Sequence, residues 1–296
     1  MPVLFALLTS LCNGTASVLQ RIAAAAAPPE RALHLSLFAY LIRRKVWLVG
    51  IGMTILAAVC QAVALATGPV ALVQPIFIIE LPFTLLLASR VMRRPLPRRT
   101  WGAVALVTVS LGVGLWAAAP SGGSAHASAR VWITTLIVTA AFEAVVITVG
   151  VRARGNVRAA ALGLAAACGY ALTATLLKSA VANLDQSVAA FFSSWQLYAT
   201  AVTGVGALFL LQNGLQAGAL VYVQPPLTLG DALISVSYGV TVYGETVRTG
   251  GWLAIQIIAV LAITGGCVEL SRSLAQIHWP QPAAPPAPQA APQAES

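Results

Sequence analysis

Stretches of about twenty consecutive apolar residues recur along this chain, and they leave few folds open to it. An α-helix rises 1.5 Å per residue, so roughly 20 apolar residues cross the ~30 Å hydrocarbon core of a bilayer. Such runs fall at about 3–24, 46–67, 69–90, 101–119, 131–151, 157–181, 188–211, 215–242 and 251–271. A further segment, 32–42 (ALHLSLFAYLI), is too short to cross unaided and ends in Arg-Arg-Lys; the stretch 31–45 is an interfacial helix or a tenth span. Of the 296 residues 58% are hydrophobic and 8% charged, with a mean hydropathy of +0.85. Soluble domains carry about 25% charged residues. The expectation is an all-α polytopic membrane protein with nine transmembrane helices, or ten.

A net charge of +9 raises the question of a nucleic-acid partner. The positions of the charges answer it. They cluster between apolar runs: Arg43, Arg44 and Lys45; Arg90, Arg93, Arg94, Arg98 and Arg99; Arg152, Arg154 and Arg158. Short basic loops of this kind stay on the cytoplasmic side and meet anionic lipid headgroups. With 43–45, 90–99 and 152–158 inside, the spans alternate without conflict. The loop 120–130 (PSGGSAHASAR) and the links near Asp185 and Arg248 are then outside, and the C-terminus is cytoplasmic. A bacterial cytoplasmic membrane is the expected location, with membrane lipid as a partner and no nucleic acid.

The four cysteines, Cys12, Cys60, Cys168 and Cys267, all sit inside apolar runs and read as small hydrophobes. The N-terminus lacks a basic region, which argues against a cleaved signal peptide. The segment 273–296 is rich in Pro, Ala and Gln and has no hydrophobic periodicity, so it reads as a disordered tail. There is no GxxxxGK[ST], HExxH or GxSxG motif, and His34, His126 and His278 lie outside the spans. Neither an enzyme nor a cofactor is expected.

An internal repeat organises the chain. Residues 68–77 read GPVALVQPIF and residues 218–227 read GALVYVQPPL, so an offset of 150 superposes Gly68 on Gly218 and both Val-Gln-Pro triplets. Trp101 and Trp252 open the next run in each copy, and the run from Trp47 to Ala66 pairs with 188–211. An odd number of crossings separates the copies, which makes the repeat inverted, the commonest internal architecture of secondary transporters. The expected organisation is a first membrane repeat at 1–119, an external linker at 120–130, a second repeat at 131–272, and the tail.

Within these runs some residues are costly to bury. A proline removes a helix hydrogen bond, and in lipid the freed carbonyls need other partners. Pro75 and Pro82 in one copy, and Pro225 and Pro226 in the other, therefore predict kinked or broken helices. Gln74 and Gln224 stand beside them to satisfy freed backbone or to contact cargo. An acidic residue at a helix centre costs about 2.5–3.5 kcal/mol on insertion scales and faces a bundle interior or a wet cavity. Glu80 and Asp231 occupy such positions five and six residues past their prolines, and Glu143 is a third candidate. Lys178 is either their counter-charge or a side chain that snorkels to the interface. Glu245 and Glu269, near span ends, read as solvated.

Taken in order, WLVG (Trp47 to Gly50), PVALVQP (Pro69, Val73, Pro75), LLKSAV (Lys178), VQPPL (Val223, Pro225) and YGET (Glu245) give the chain a resemblance. Over roughly residues 4–272 it resembles the drug/metabolite transporter (DMT, EamA-like) superfamily and, within it, bacterial relatives of the NIPA magnesium-transporter family. The resemblance implies two inverted helical halves that expose a central site alternately to each side. Where that family tends to place an acidic residue and an asparagine, this chain has Ala58 and Gln61. Where it places an acidic residue after the third span, this chain has the basic stretch around Arg94. Hard divalent cations want oxygen ligands, preferably carboxylates.

The functional expectation is a secondary transporter of a small metabolite, drug or cation. Its expected pathway is lined by Gln61, Gln74, Pro75, Glu80, Glu143, Lys178, Gln224, Pro225 and Asp231. The alternatives are a Mg²⁺ transporter proper and a non-transporting scaffold or partner subunit of an envelope complex. A transporter should gather Gln20, Gln61, Gln74, Glu80, Glu143, Gln224 and Asp231 around one cavity, whereas a scaffold would scatter them.

Overall fold

The computed structural model describes residues 1–25, 43–93, 95–124, 126–218 and 220–275. The stretch 31–45 as a tenth span, the tail beyond 275 and Arg94 fall wholly or mainly outside these residues. The described chain is almost entirely helical: α1 Pro2–Ala25, α2 Lys45–Thr67, α3 Val70–Ile76, α4 Glu80–Val91, α5 Arg98–Ala118, α6 Ala129–Arg152, α7 Gly155–Ala182, α8 Val188–Ser193, α9 Trp195–Ala217, α10 Leu220–Tyr243 and α11 Trp252–Ala275. Among the described residues seven spans are long and apolar enough to cross a membrane: those of α1, α2, α3–α4 taken together, α5, α6, α7 and α11. Helices α9 and α10 are as long but more polar, diluted by Gln196, Gln212, Asn213 and Gln216 in one, and by Gln224, Pro225, Pro226 and Asp231 in the other.

Large apolar side chains cover the outside, among them Ile55, Val109, Ile137, Val202, Phe209 and Leu261. Tryptophans mark the helix ends. Trp116, Trp132, Trp195 and Trp252 sit where α5 ends and where α6, α9 and α11 begin, and Trp47 and Trp101 sit at the opposite ends, beside basic clusters. Indole rings collect at membrane–water interfaces, so the two groups are placed as aromatic belts.

Helix α7 is the axis of the bundle. It packs on α9, α10 and α6, while α1 packs on α2 and on α4. Small residues permit the close approach: a Cβ on Gly163 would lie 2.7 Å from the Val223 carbonyl oxygen, and one on Gly169 2.8 Å from Ala207 Cβ. Without a hydrophobic drive between helices in lipid, such backbone proximity is the main source of packing energy. Across the two halves, α3 meets α10 and α5 meets α11.

Three boundaries differ from the sequence reading. The run 188–211 is not one helix. The chain leaves helical geometry at Ser194, where φ is −71° and ψ 128°, and α9 begins at Trp195. Ser194 Oγ donates to the Phe191 carbonyl at 2.7 Å, a local bond that competes with helix continuation. The run read as starting at 215 begins at Leu220, beyond an extended Gly218. Finally, only the first proline pair breaks its helix. Between Pro75 and Pro82 the backbone tightens into a 3₁₀ turn, Phe77–Ile79, whereas Pro225 and Pro226 lie inside a continuous α10. The latter pair falls in the second turn, close to the end where backbone donors are orphaned anyway.

The 120–130 loop carries the strand pairing found among the described residues. Ser121–Gly122 pairs antiparallel with Glu245–Thr246, in the register Ser121 to Thr246 and Gly122 to Glu245.

Candidate functional site

Four helical segments (α1, α3–α4 taken together, α7 and α10) each carry one polar residue at their middle. Asn13 of α1 stands beside the Glu80 carboxylate at the head of α4. Asp231 of α10 interacts electrostatically with Glu80, and Tyr170 of α7 with both. Asp231 Oδ1 also accepts from Ser235 Oγ at 3.4 Å. All four residues are half-buried.

The 3₁₀ turn explains how two carboxylates at unequal sequence distances from their prolines come together. On ideal α-helices, five residues past Pro75 and six past Pro225 would point about 100° apart. Three residues at 120° each instead of 100° recover roughly 60° of that difference. The rise is matched too: 3₁₀ geometry gains about 2.0 Å per residue, so both carboxylates sit roughly 9 Å along the axis from their prolines. Two acidic groups at one depth, with an amide and a phenol beside them, make a site for a single cation or an exchangeable proton.

A second polar cluster lies towards the Trp116–Trp252 end. Glu245, expected to be solvated, is 2% exposed. Its Oε1 accepts from Lys178 Nζ at 2.7 Å and from the Val70 N–H at 2.7 Å, and its Oε2 accepts from the Ala71 N–H at 2.8 Å. The carboxylate therefore caps α3, satisfying donors that a helix start leaves bare. Lys178 neither snorkels nor pairs with the central acids. It is buried, and it also donates to the Gly68 carbonyl at 3.1 Å and lies over the Tyr243 ring. Tyr243 Oη in turn donates to the Thr175 carbonyl and contacts Ser179 Oγ at 2.9 Å. Glu245 escapes solvent because Gly244, at φ +65°, turns the chain back over α3, and because Gly123 packs on it too closely for any Cβ.

The remaining candidates do not join one cavity. Gln20 donates to Thr54 Oγ1 at 3.1 Å and Gln224 to Thr228 Oγ1 at 3.2 Å. Glu143, on α6, lies in the field of Cys168 and Tyr238. Gln61 is half-buried on α2. Gln74 is 2% exposed, and its Nε2 has no partner among the described residues. Pro75 and Pro225 are buried, and Pro75 lines an apolar cavity whose lining does not include the carboxylates. Among the described residues no group of three or more His, Cys, Asp or Glu is placed to hold a metal ion.

Asn13 and Tyr170 are residues that sequence reasoning passed over. The signal was an asparagine alone in an apolar run. Glu245 was visible in YGET but was misread from its distance to the span centre.

The chain is 27% identical over 275 residues to an uncharacterized protein of Corynebacterium glutamicum, an alignment that covers 92% of this chain and 95% of that protein. No protein-family model matches the chain. No solved structure matches it either.

Proposed function

We propose that this protein is a secondary transporter that carries a small cation across a bacterial cytoplasmic membrane by alternating access. The observation that carries the reading is the nearness of Glu80 and Asp231, with Asn13 and Tyr170, at the middle of four helical segments. In this reading α9 and α10 also cross the membrane, giving nine spans, and the two halves form an inverted repeat of the DMT kind. Element boundaries support the repeat: α2 and α9 begin at Lys45 and Trp195 and end at Thr67 and Ala217, an offset of 150, and α3 and α10 keep it at Val70 and Leu220. Packing supports it as well, since α1 rests on α2 and α4 as α7 rests on α9 and α10.

The mechanism follows from charge. Two carboxylates in a low-dielectric interior are stabilised together by one bound cation or by protons. Cargo and proton then exchange at this site as it opens to each side in turn. Between openings the Glu245–Lys178 clasp holds α3, α7 and the α10–α11 loop together at the outer end. A hard Mg²⁺ ion takes six oxygens, keeps several of them as water and is commonly held by one or two carboxylates, so the pair suits Mg²⁺ as well as an organic or monovalent cation.

The test is transport in proteoliposomes under a pH gradient, with wild type, Glu80→Gln and Asp231→Asn screened against a panel of metal and organic cations. Loss of coupled uptake in at least one variant, with folding intact by gel filtration, is the expected result. Unchanged uptake and unchanged pH dependence in both would leave the pair with a structural role.

A further inference from the structure

A cavity of about 130 Å³ lies between α3, α5, α10 and α11, and the carboxylate pair is not part of its lining. Its walls are apolar (Pro75, Ile78, Leu111, Leu233 and Ile263 among them), and the polar side chain in its lining is Gln256. The Gln256 amide is already used, donating to the Arg248 carbonyl at 2.8 Å and to the Ala117 carbonyl at 3.4 Å. An apolar cavity near this size, about 150 Å³, stays dry and accepts benzene. At its outer end the cavity shares Pro120 and Val247 with an open depression lined by Ser121, Thr246 and Arg248.

Arg248 is exposed, and its guanidinium lies 5.1 Å from the centre of the Trp252 ring. Among the described residues no carboxylate pairs with it. Trp252 packs edge-on against Trp116, which places this mouth at the level of one aromatic belt. A cation without a carboxylate partner thus stands at headgroup depth above a hydrocarbon-lined space, beside the Ser121 and Thr246 hydroxyls, which bond each other at 3.1 Å. We infer that the site binds an anionic amphiphile, with its carboxylate or phosphate at Arg248 and the start of its alkyl chain in the cavity. This inference is independent of what Glu80 and Asp231 bind.

Native mass spectrometry of the purified protein in non-ionic detergent tests it, with palmitate, hexadecanol and a phosphatidylglycerol as probes. A saturable one-to-one adduct is expected for palmitate or phosphatidylglycerol, and whichever binds tighter identifies the source as free acid or membrane lipid. Hexadecanol, which lacks the charge, should bind about tenfold more weakly, the equivalent of about 1.4 kcal/mol. Arg248→Gln, a change at an exposed side chain, should bring the anionic probe down to the level of hexadecanol. Gly114→Leu, which fills the cavity from α5 towards Ala259, should abolish binding of all three. The inference is overturned if no saturable adduct forms, or if Arg248→Gln leaves the affinity for the anionic probe within twofold of wild type.

Discussion

Two residues carry much of the interior energetics. Glu245 and Lys178 are buried together, and a buried pair that loses one member leaves an uncompensated charge, a loss of about 3–5 kcal/mol. Lys178→Met should therefore lower the thermal midpoint in detergent sharply, because the Glu245 carboxyl is left buried with only two backbone N–H partners. Adding Glu245→Gln to Lys178→Met should restore part of the loss, since the double variant buries no net charge. Strict additivity of the two single changes, read by differential scanning fluorimetry, would deny the coupling. Gln74 gives the opposite expectation. Its Nε2 is buried without a partner among the described residues, and an unsatisfied group of that kind costs about 1–3 kcal/mol. Gln74→Leu, nearly equal in volume, should melt at the same temperature or higher. A lower midpoint would show that the amide is satisfied in solution. If transport falls while stability holds, Gln74 serves the pathway rather than the fold.

Elements are where sequence and structure part company in instructive ways. Helix existence was legible from apolar length alone, and the α3–α4 break was legible from two prolines seven residues apart. The break at Ser194 was not, because FFSSWQLY carries no glycine or proline and its stop is a serine hydroxyl that bonds back to Phe191. Nor was the burial of Glu245: that depends on a two-residue pairing with Ser121–Gly122 across more than a hundred residues, which no local pattern encodes. The pairing of Glu80 with Asp231 was half legible. Their mid-span positions showed in the sequence, but the 3₁₀ turn that aligns them did not. Glycine spacing in α7 leads to an element-scale prediction. Gly163→Val would drive a side chain into the Val223 carbonyl of α10, and relief requires one helix to move. Gly112→Val on α5 meets nothing within 4 Å. The first should reduce the yield of monodisperse protein several-fold and the second should leave it near wild type, as judged by size-exclusion chromatography. Equal behaviour of the two variants would mean that the α7–α10 contact is not rate- or stability-limiting.

For the whole molecule the question is which way it sits in the bilayer. The basic clusters at 43–45, 90–99 and 152–158 all lie at one end of their helices, and the loop 120–124, the α8 segment and the Arg248 link lie at the other. Positive residues hold loops on the cytoplasmic side, so the clustered end should be cytoplasmic and the Glu245–Lys178 clasp should face outward. Single cysteines can report this without first removing native ones, because Cys12, Cys60, Cys168 and Cys267 are all buried. The choice of position matters. Gly123, in the middle of the external loop, has φ +94° and no room for a Cβ against Glu245, so a cysteine there would disturb the clasp it is meant to report on. Ser124, exposed one residue later, is the better outer probe, and Arg98, exposed at the start of α5, the better inner one. In intact cells a membrane-impermeant maleimide should label Ser124→Cys and spare Arg98→Cys until the membrane is permeabilised. The reverse pattern would invert the whole assignment, placing the clasp on the cytoplasmic face and the basic clusters outside. It would leave the central carboxylates at the same depth, and only the direction of the proposed transport past them would change sign.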